Sequence, residues 1–296
     1  MRLLVLSLMV LCLAAPPALA QSLPRSVYVD PPDDPHAPAR AEVLHIPSGD
    51  VKINGIAYIP SGPGPHPTAL LLHGMPGNEK NLDLAQAMRR AGWTVVAINY
   101  RGTWGSPGPF HFAQVLEDAA NTLTYLRDPA NAAKLGIDLK RMVVVGHSMG
   151  GWASAQTLAR DPALLGAVLI SPGDLATFGQ HGHDASFAFV EDDRETIAEP
   201  DSNTLADELV AHAQDWALPA LAPQLAGRRL LVLYGNDFVK DDAVKLIDAL
   251  KALKAKKLDS AYTATDHAWS DHRIALEAQV IGWLEGLQNS ASSSLK

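Results

Sequence analysis

The chain is most constrained at residues 141–159, where an apolar run ending in Val143, Val144 and Val145 meets Gly146, His147, Ser148, Met149, Gly150 and Gly151. A segment of small and helix-favouring residues, through Ala159, leaves this point. A strand that hands over to a helix in so few residues must turn sharply, and its neighbours must be small. That explains glycine at 146, 150 and 151. The same turn lifts the Ser148 hydroxyl above the sheet edge and leaves the Met149 backbone N–H facing any oxyanion that develops there. A bare G-x-S-x-G pattern would fit an ordinary glycine-rich turn. The strand before it and the helix after it favour an activated serine.

The rest of the chain repeats that alternation. Residues 42–46 and 51–59 read as strands joined by a turn at Ser48-Gly49-Asp50, although Asn54-Gly55 is itself a hairpin signal and leaves the register open. Further apolar strands are predicted at 68–72, 94–99, 142–145, 165–170, 230–233 and 261–264. Helices are predicted at 82–91, 113–126, 243–254 and 274–287. Apolar strands alternating with amphipathic helices give an α/β fold with a mostly parallel sheet covered on both faces. Residues 174–228 break the pattern, being polar and acidic with no strong strand, and read as a small lid inserted after the strand at 165–170.

A serine hydroxyl needs a general base, and the base needs an acid to fix its tautomer. Asp237 follows the strand at 230–233 in a loop opened by Gly235, at the strand end where parallel sheets carry their sites. Asp241 and Asp242 are its rivals, but they read as the first turn of the next helix. His267 lies just after the last strand. It is preferred to His272, which reads as part of the start of the final helix. Met75, in the loop after the strand at 68–72, supplies the second backbone N–H for an oxyanion, beside Met149. His73 reads as structural. The chain order is serine, acid, histidine.

These segments resemble the α/β-hydrolase superfamily over residues 42–287. They are most similar to the single-domain relatives of dipeptidyl aminopeptidases and acylaminoacyl peptidases, the prolyl oligopeptidase-like serine hydrolases. The carrying strings are HGMPG at 73–77, NYRGTWGSPG at 99–108, GHSMGG at 146–151, YGNDF at 234–238 and DHAWSDHR at 266–273. The resemblance implies a Ser-Asp-His triad on Ser148, Asp237 and His267, oxyanion donors at Met75 and Met149, and no cofactor. Such peptidases often carry an N-terminal β-propeller, for which too few residues precede position 42. Peptidase activity is therefore not implied by the motifs. Cleavage of small-molecule esters is the expectation, with short peptide amides as the alternative and a non-catalytic binding protein on the same fold as a third reading.

Tyr100, Trp104 and Phe110 follow the strand at 94–99 and are expected to wall the substrate; the competing reading has Trp104 and Phe110 packing the lid onto the core. Glu191, Asp192 and Asp193 in the lid read more readily as a solvated face than as a site for a substrate amine. His181 and His183 form a weak metal pattern, and no metal is expected. A net charge of −8 with no basic block argues against a nucleic-acid partner. At the N-terminus, Arg2, the apolar stretch 3–15 and Ala18-Leu19-Ala20 read as a signal peptide over residues 1–20. It predicts export, periplasmic or secreted, without stable membrane association after cleavage. Cys12, the one cysteine, falls inside it. Residues 21–41 read as an extended linker and 288–296 as a disordered tail.

Overall fold

The computed structural model describes residues 23–293, so the expected signal peptide lies outside the described residues. After a short 3-10 turn at Arg25–Val27, strands β1 (Arg40–Ser48) and β2 (Val51–Ile59) form an antiparallel pair. The turn between them falls at Gly49, whose φ of 60° suits glycine, while Asn54 and Gly55 lie inside β2 opposite His45 and Leu44. The chain continues through β3 (His66–Leu72), α1 (Leu82–Arg90), β4 (Thr94–Ile98), α2 (Phe112–Arg127), α3 (Pro129–Leu135), β5 (Ile137–His147) and α4 (Met149–Arg160). Helix α3 was not expected. Its signals are local: Asp128 accepts hydrogen bonds from the Ala130 and Asn131 amides, proline opens it, and Gly136 closes it at φ 63°.

Strand β6 (Gly166–Ile170) leads into the insertion, which is mostly helical: α5 (Leu175–Gln180), α6 (His183–Asp192), α7 (Ser202–Ala211), a 3-10 turn and α8 (Ala222–Leu225). Then come β7 (Arg229–Tyr234), α9 (Lys240–Ala252), β8 (Leu258–Tyr262) and α10 (Arg273–Ser293). The last helix runs through part of the tail expected to be disordered. The final strand lies at Leu258–Tyr262, N-terminal to its expected place.

The eight strands form one sheet in the order β1-β2-β4-β3-β5-β6-β7-β8, parallel from β4 onward. Side chains alternate between its faces as the pleat requires. Leu70, Leu72 and Val144 face a core shared with α2, α4 and the insertion. Ala69, Leu71, Val143 and Val145 face a second core under α1 and α10. Burial on both faces is why these strands read as continuous apolar runs. The insertion is fastened to the body through polar ties. Glu208 accepts from the Ala113 amide (2.7 Å) and Phe112 amide (3.2 Å) at the start of α2. The Phe110 amide donates to the Glu199 carbonyl at 2.9 Å, and the Trp152 indole to the Trp216 carbonyl at 2.9 Å. None of the described helices is long and apolar enough to cross a membrane.

Candidate active site

Ser148 stands at the carboxyl end of β5, with φ 57° and ψ −122°, a conformation that L-residues avoid. Such strain costs about 1–3 kcal/mol and persists only where the surroundings impose it. Here the backbone is held on every side. The Ser148 amide donates to the Ile170 carbonyl (3.0 Å), and the Ser148 carbonyl accepts from Gly151 (2.9 Å), Trp152 (3.1 Å) and Gly173 (3.2 Å). The flanking glycines are demanded by close approach. A Cβ at Gly146 would come within 1.9 Å of the Gly150 carbonyl oxygen, and one at Gly150 within 2.0 Å of the Leu72 oxygen. Neither neighbour is a flexible side chain, so no larger residue fits.

The loop after β3 reaches the same point. A Cβ on Gly74 would lie 2.8 Å from the Ser148 Cβ, so this glycine lets the 73–77 loop lie directly on the serine. Neither the Met75 nor the Met149 backbone N–H donates a hydrogen bond among the described residues. Met149 is also the first residue of α4, where unspent amides carry the helix's positive end. Below them His73 is buried, its ring 4.5 Å from the Tyr100 ring, its Nδ1 donating to the Gly74 carbonyl at 2.7 Å. Burial pushes its pKa down to about 4, so this histidine is a neutral support.

Asp237 and His267 meet across two loops. His267 Nδ1 is 3.1 Å from Asp237 Oδ2. The loops close on each other at Gly235, where a Cβ would sit 2.8 Å from the Thr265 carbonyl oxygen, which also accepts from the Asn236 amide at 2.9 Å. Burial pushes the Asp237 carboxyl up. Hydrogen bonds from the His267 imidazole and the Val239 amide, with the Ser171 hydroxyl nearby, outweigh it and hold the group below the usual carboxylate range. The His267 ring packs 4.7 Å from the ring of His147, the residue preceding Ser148. Ser148, Asp237 and His267 thus lie beyond the carboxyl ends of β5, β7 and β8, with His267 packed on the residue that precedes Ser148. The rival groups lie elsewhere. Asp242 is buried against the insertion, accepting from the Asp174 amide and the Thr177 hydroxyl, and His272 pairs with Asp271 at the surface, 2.9 Å apart.

The aromatic wall needs correction. Tyr100 and Phe110 are wholly buried and line no open surface. Tyr100 donates from its hydroxyl to the His73 carbonyl at 3.1 Å, and Phe110 packs edge-on against Phe112, 5.2 Å between ring centres. Aromatic rings following a buried strand fill the core before they face solvent. Trp104 is different: it is 40% exposed, with its indole N–H donating to the Pro76 carbonyl at 2.9 Å and the Lys80 ammonium 3.9 Å over its ring. Sequence reasoning passed over Phe238, which is 67% exposed with its ring 4.6 Å from that of His267. Its place beside Asp237 was the available signal.

Two more supports had no sequence signature. The buried Trp269 indole donates to the Ser171 hydroxyl at 3.1 Å. An indole N–H only donates, so Ser171 Oγ accepts from it and its own hydrogen stays free to donate. Both residues hold positive φ, 59° and 41°. His147 Nε2 lies 2.8 Å from the His267 carbonyl oxygen. Among the described residues no group of three or more histidine, cysteine or acidic side chains is placed to hold a metal.

A mostly parallel sheet between two helical layers, with a strained serine at the end of a central strand, defines a hydrolase scaffold. The chain belongs to the alpha/beta hydrolase family, whose model matches residues 69–284. No curated protein matches it. In structure it is similar to an esterase of Pyrobaculum calidifontis, with a TM-score of 0.62 and 20% identity over 86% of this chain and 88% of that one. It is similar to EstE1, a carboxylesterase from a metagenomic library, at a TM-score of 0.60 and 22% identity over 85% and 90% of the two chains. An acylaminoacyl peptidase of Pyrococcus horikoshii superposes with a TM-score of 0.63 at 18% identity, covering 83% of this chain but 41% of the peptidase. At such identities the likeness is one of fold.

Proposed function

We propose that the protein is a serine hydrolase that cleaves carboxylic esters through an acyl-enzyme. The observation that carries this reading is the His267–Asp237 pair, 3.1 Å apart, beside the turn that strains Ser148. His267 takes the Ser148 proton through Nε2 as Oγ attacks the ester carbonyl, while Asp237 holds Nδ1–H and stabilises the imidazolium. The Met75 and Met149 amides receive the oxyanion, each contributing about 3 kcal/mol to lowering the barrier. The imidazolium returns its proton to the departing alcohol. Water, activated by the same base, then releases the acid. No cofactor is required.

Phe238 and Trp104 offer exposed hydrocarbon close to these groups, which suits an apolar acyl or alcohol portion. A short peptide amide is the second reading. Asp193, a half-buried lid carboxylate close enough to His267 for their charges to interact, favours it, since an acid there suits a substrate amine. Burial and the neighbouring Glu195 and Asp192 raise its pKa, and the His267 charge opposes them. A panel of 4-nitrophenyl esters against aminoacyl anilides separates the two. Faster ester turnover, abolished in Ser148→Ala, is the expected result; faster anilide turnover would reverse the order. Export to the periplasm or medium belongs to the same proposal and rests on residues 1–20 alone. N-terminal sequencing of the exported protein, expected to start at Gln21, tests it.

A further inference from the structure

His147 is buried, yet an apolar residue would fill its place more cheaply than an imidazole unless a ring nitrogen is used. One is. Nε2 lies 2.8 Å from the backbone oxygen of His267, and a carbonyl oxygen only accepts. The proton therefore sits on Nε2, which donates, and Nδ1 is bare; Nδ1 has no partner among the described residues.

We propose that His147 is a positioning residue, a clamp from the turn that carries Ser148 to the backbone of residue 267 that holds the base over it. This rests on the reading of His267 as general base. The bond joins residues 120 apart in sequence and links the end of β5 to the loop after β8, across the two intervening strands. Asp237 holds the ring of residue 267, but the other ties on that loop land on its neighbours: Ser270 and Trp269 amides on Asp266, the Arg273 guanidinium on the Ala268 carbonyl, the Trp269 indole on Ser171. The His147 bond lands on residue 267 itself. With the rings tilted at 45° and 4.7 Å apart, it sets both the height and the lean of the His267 imidazole.

The clamp must stay uncharged, because a second cation would oppose the imidazolium that forms on His267 during turnover. Burial pushes the His147 pKa down to about 3. The facing charges of His267 and Arg273 push the same way, and the Asp237 carboxylate and the bond to the His267 carbonyl oppose them. At neutral pH His147 is a fixed single donor.

The test compares three variants by kcat and KM on 4-nitrophenyl butyrate, with thermal unfolding as the control. The glutamine amide nitrogen falls near the place of Nε2, whereas that of asparagine falls near Nδ1. His147→Leu should lose about 10- to 100-fold in kcat with KM little changed, the scale of a misplaced catalytic group. His147→Gln should recover most of that loss and His147→Asn should not. A residue that merely filled space would move the unfolding temperature and leave glutamine and asparagine equivalent. Equal kcat for the Gln and Asn variants overturns the clamp, as does a Leu variant within twofold of wild type. So does failure of all three to fold, which would make His147 a folding residue. If wild-type protein hydrolyses no ester or amide, the proposed function fails and the clamp falls with it. If wild type is active and insensitive at 147, only the clamp fails.

Discussion

His267 Nδ1 lies 3.1 Å from Asp237 Oδ2, and the two side chains differ sharply in access: 23% of the histidine is exposed but only 2% of the aspartate. The carboxylate is sealed behind the imidazole, so in the proposed mechanism substrate meets only the imidazole. Asp237→Asn should keep the fold and lower kcat by about 10⁴-fold, because an amide cannot fix the required tautomer. It also predicts a stability signature. The folded carboxyl is held below its usual range, so it contributes stability above the unfolded value of about 3.9, and that contribution is lost as pH falls through the folded value. Urea unfolding below about pH 4 should therefore weaken wild type more steeply than Asp237→Asn; parallel curves would contradict this.

The strain at Ser148 separates two substitutions that both remove the hydroxyl. At φ 57° glycine is at ease and alanine is not. Ser148→Gly should be more stable than Ser148→Ala by about 1 kcal/mol in calorimetry, with both inactive. Equal melting temperatures would mean that the turn is relaxed.

Gly74 touches Ser148, with 2.8 Å left for an added Cβ. Gly74→Ala must push the 73–77 loop or the serine aside by a fraction of an ångström. About 100-fold in kcat should be lost for a modest fall in melting temperature, since oxyanion geometry tolerates little displacement. Unchanged kcat would remove the Met75 amide from the site.

What the sequence showed depended on how local each constraint is. The turn at Ser148 is written in its own glycines, because the clash each avoids is with a backbone atom close beside it. Strands buried on both faces announce themselves as apolar runs. Asp128, its proline and Gly136 form an equally local signal for α3, which was there to be read. Tyr100 and Phe110 were misplaced because an aromatic in a loop reads alike whether it faces substrate or core, and only the packing of Phe112 and His73 decides. Ser171, Trp269 and His147 were not legible as supports of the site. Each acts through a partner about 65 to 120 residues away, and no spacing along the chain encodes such a pairing.

Asp174 and Asp242 fasten the insertion to α9, with the Asp174 amide donating to Asp242 at 3.0 Å and Asp174 accepting from the Leu218 amide at 3.0 Å. Burial first, then the Asp242 charge, raise the Asp174 pKa to about 6 against the pull of the backbone bonds. A raised folded value means stability fully present below about pH 3.9 and lost as pH rises through about 6. Asp242→Asn removes the repulsion, so its stability should fall less than that of wild type between pH 4.5 and 7.5. An equal fall by urea unfolding would show that the two carboxyls do not interact.

Labelling with a fluorophosphonate probe followed by peptide mapping addresses the central claim, that three separated side chains make one alcohol oxygen reactive. A single adduct on Ser148 is predicted, absent in Ser148→Ala and formed far more slowly in His267→Ala. Folded wild-type protein that takes no label, or takes it on another residue, would contradict the account.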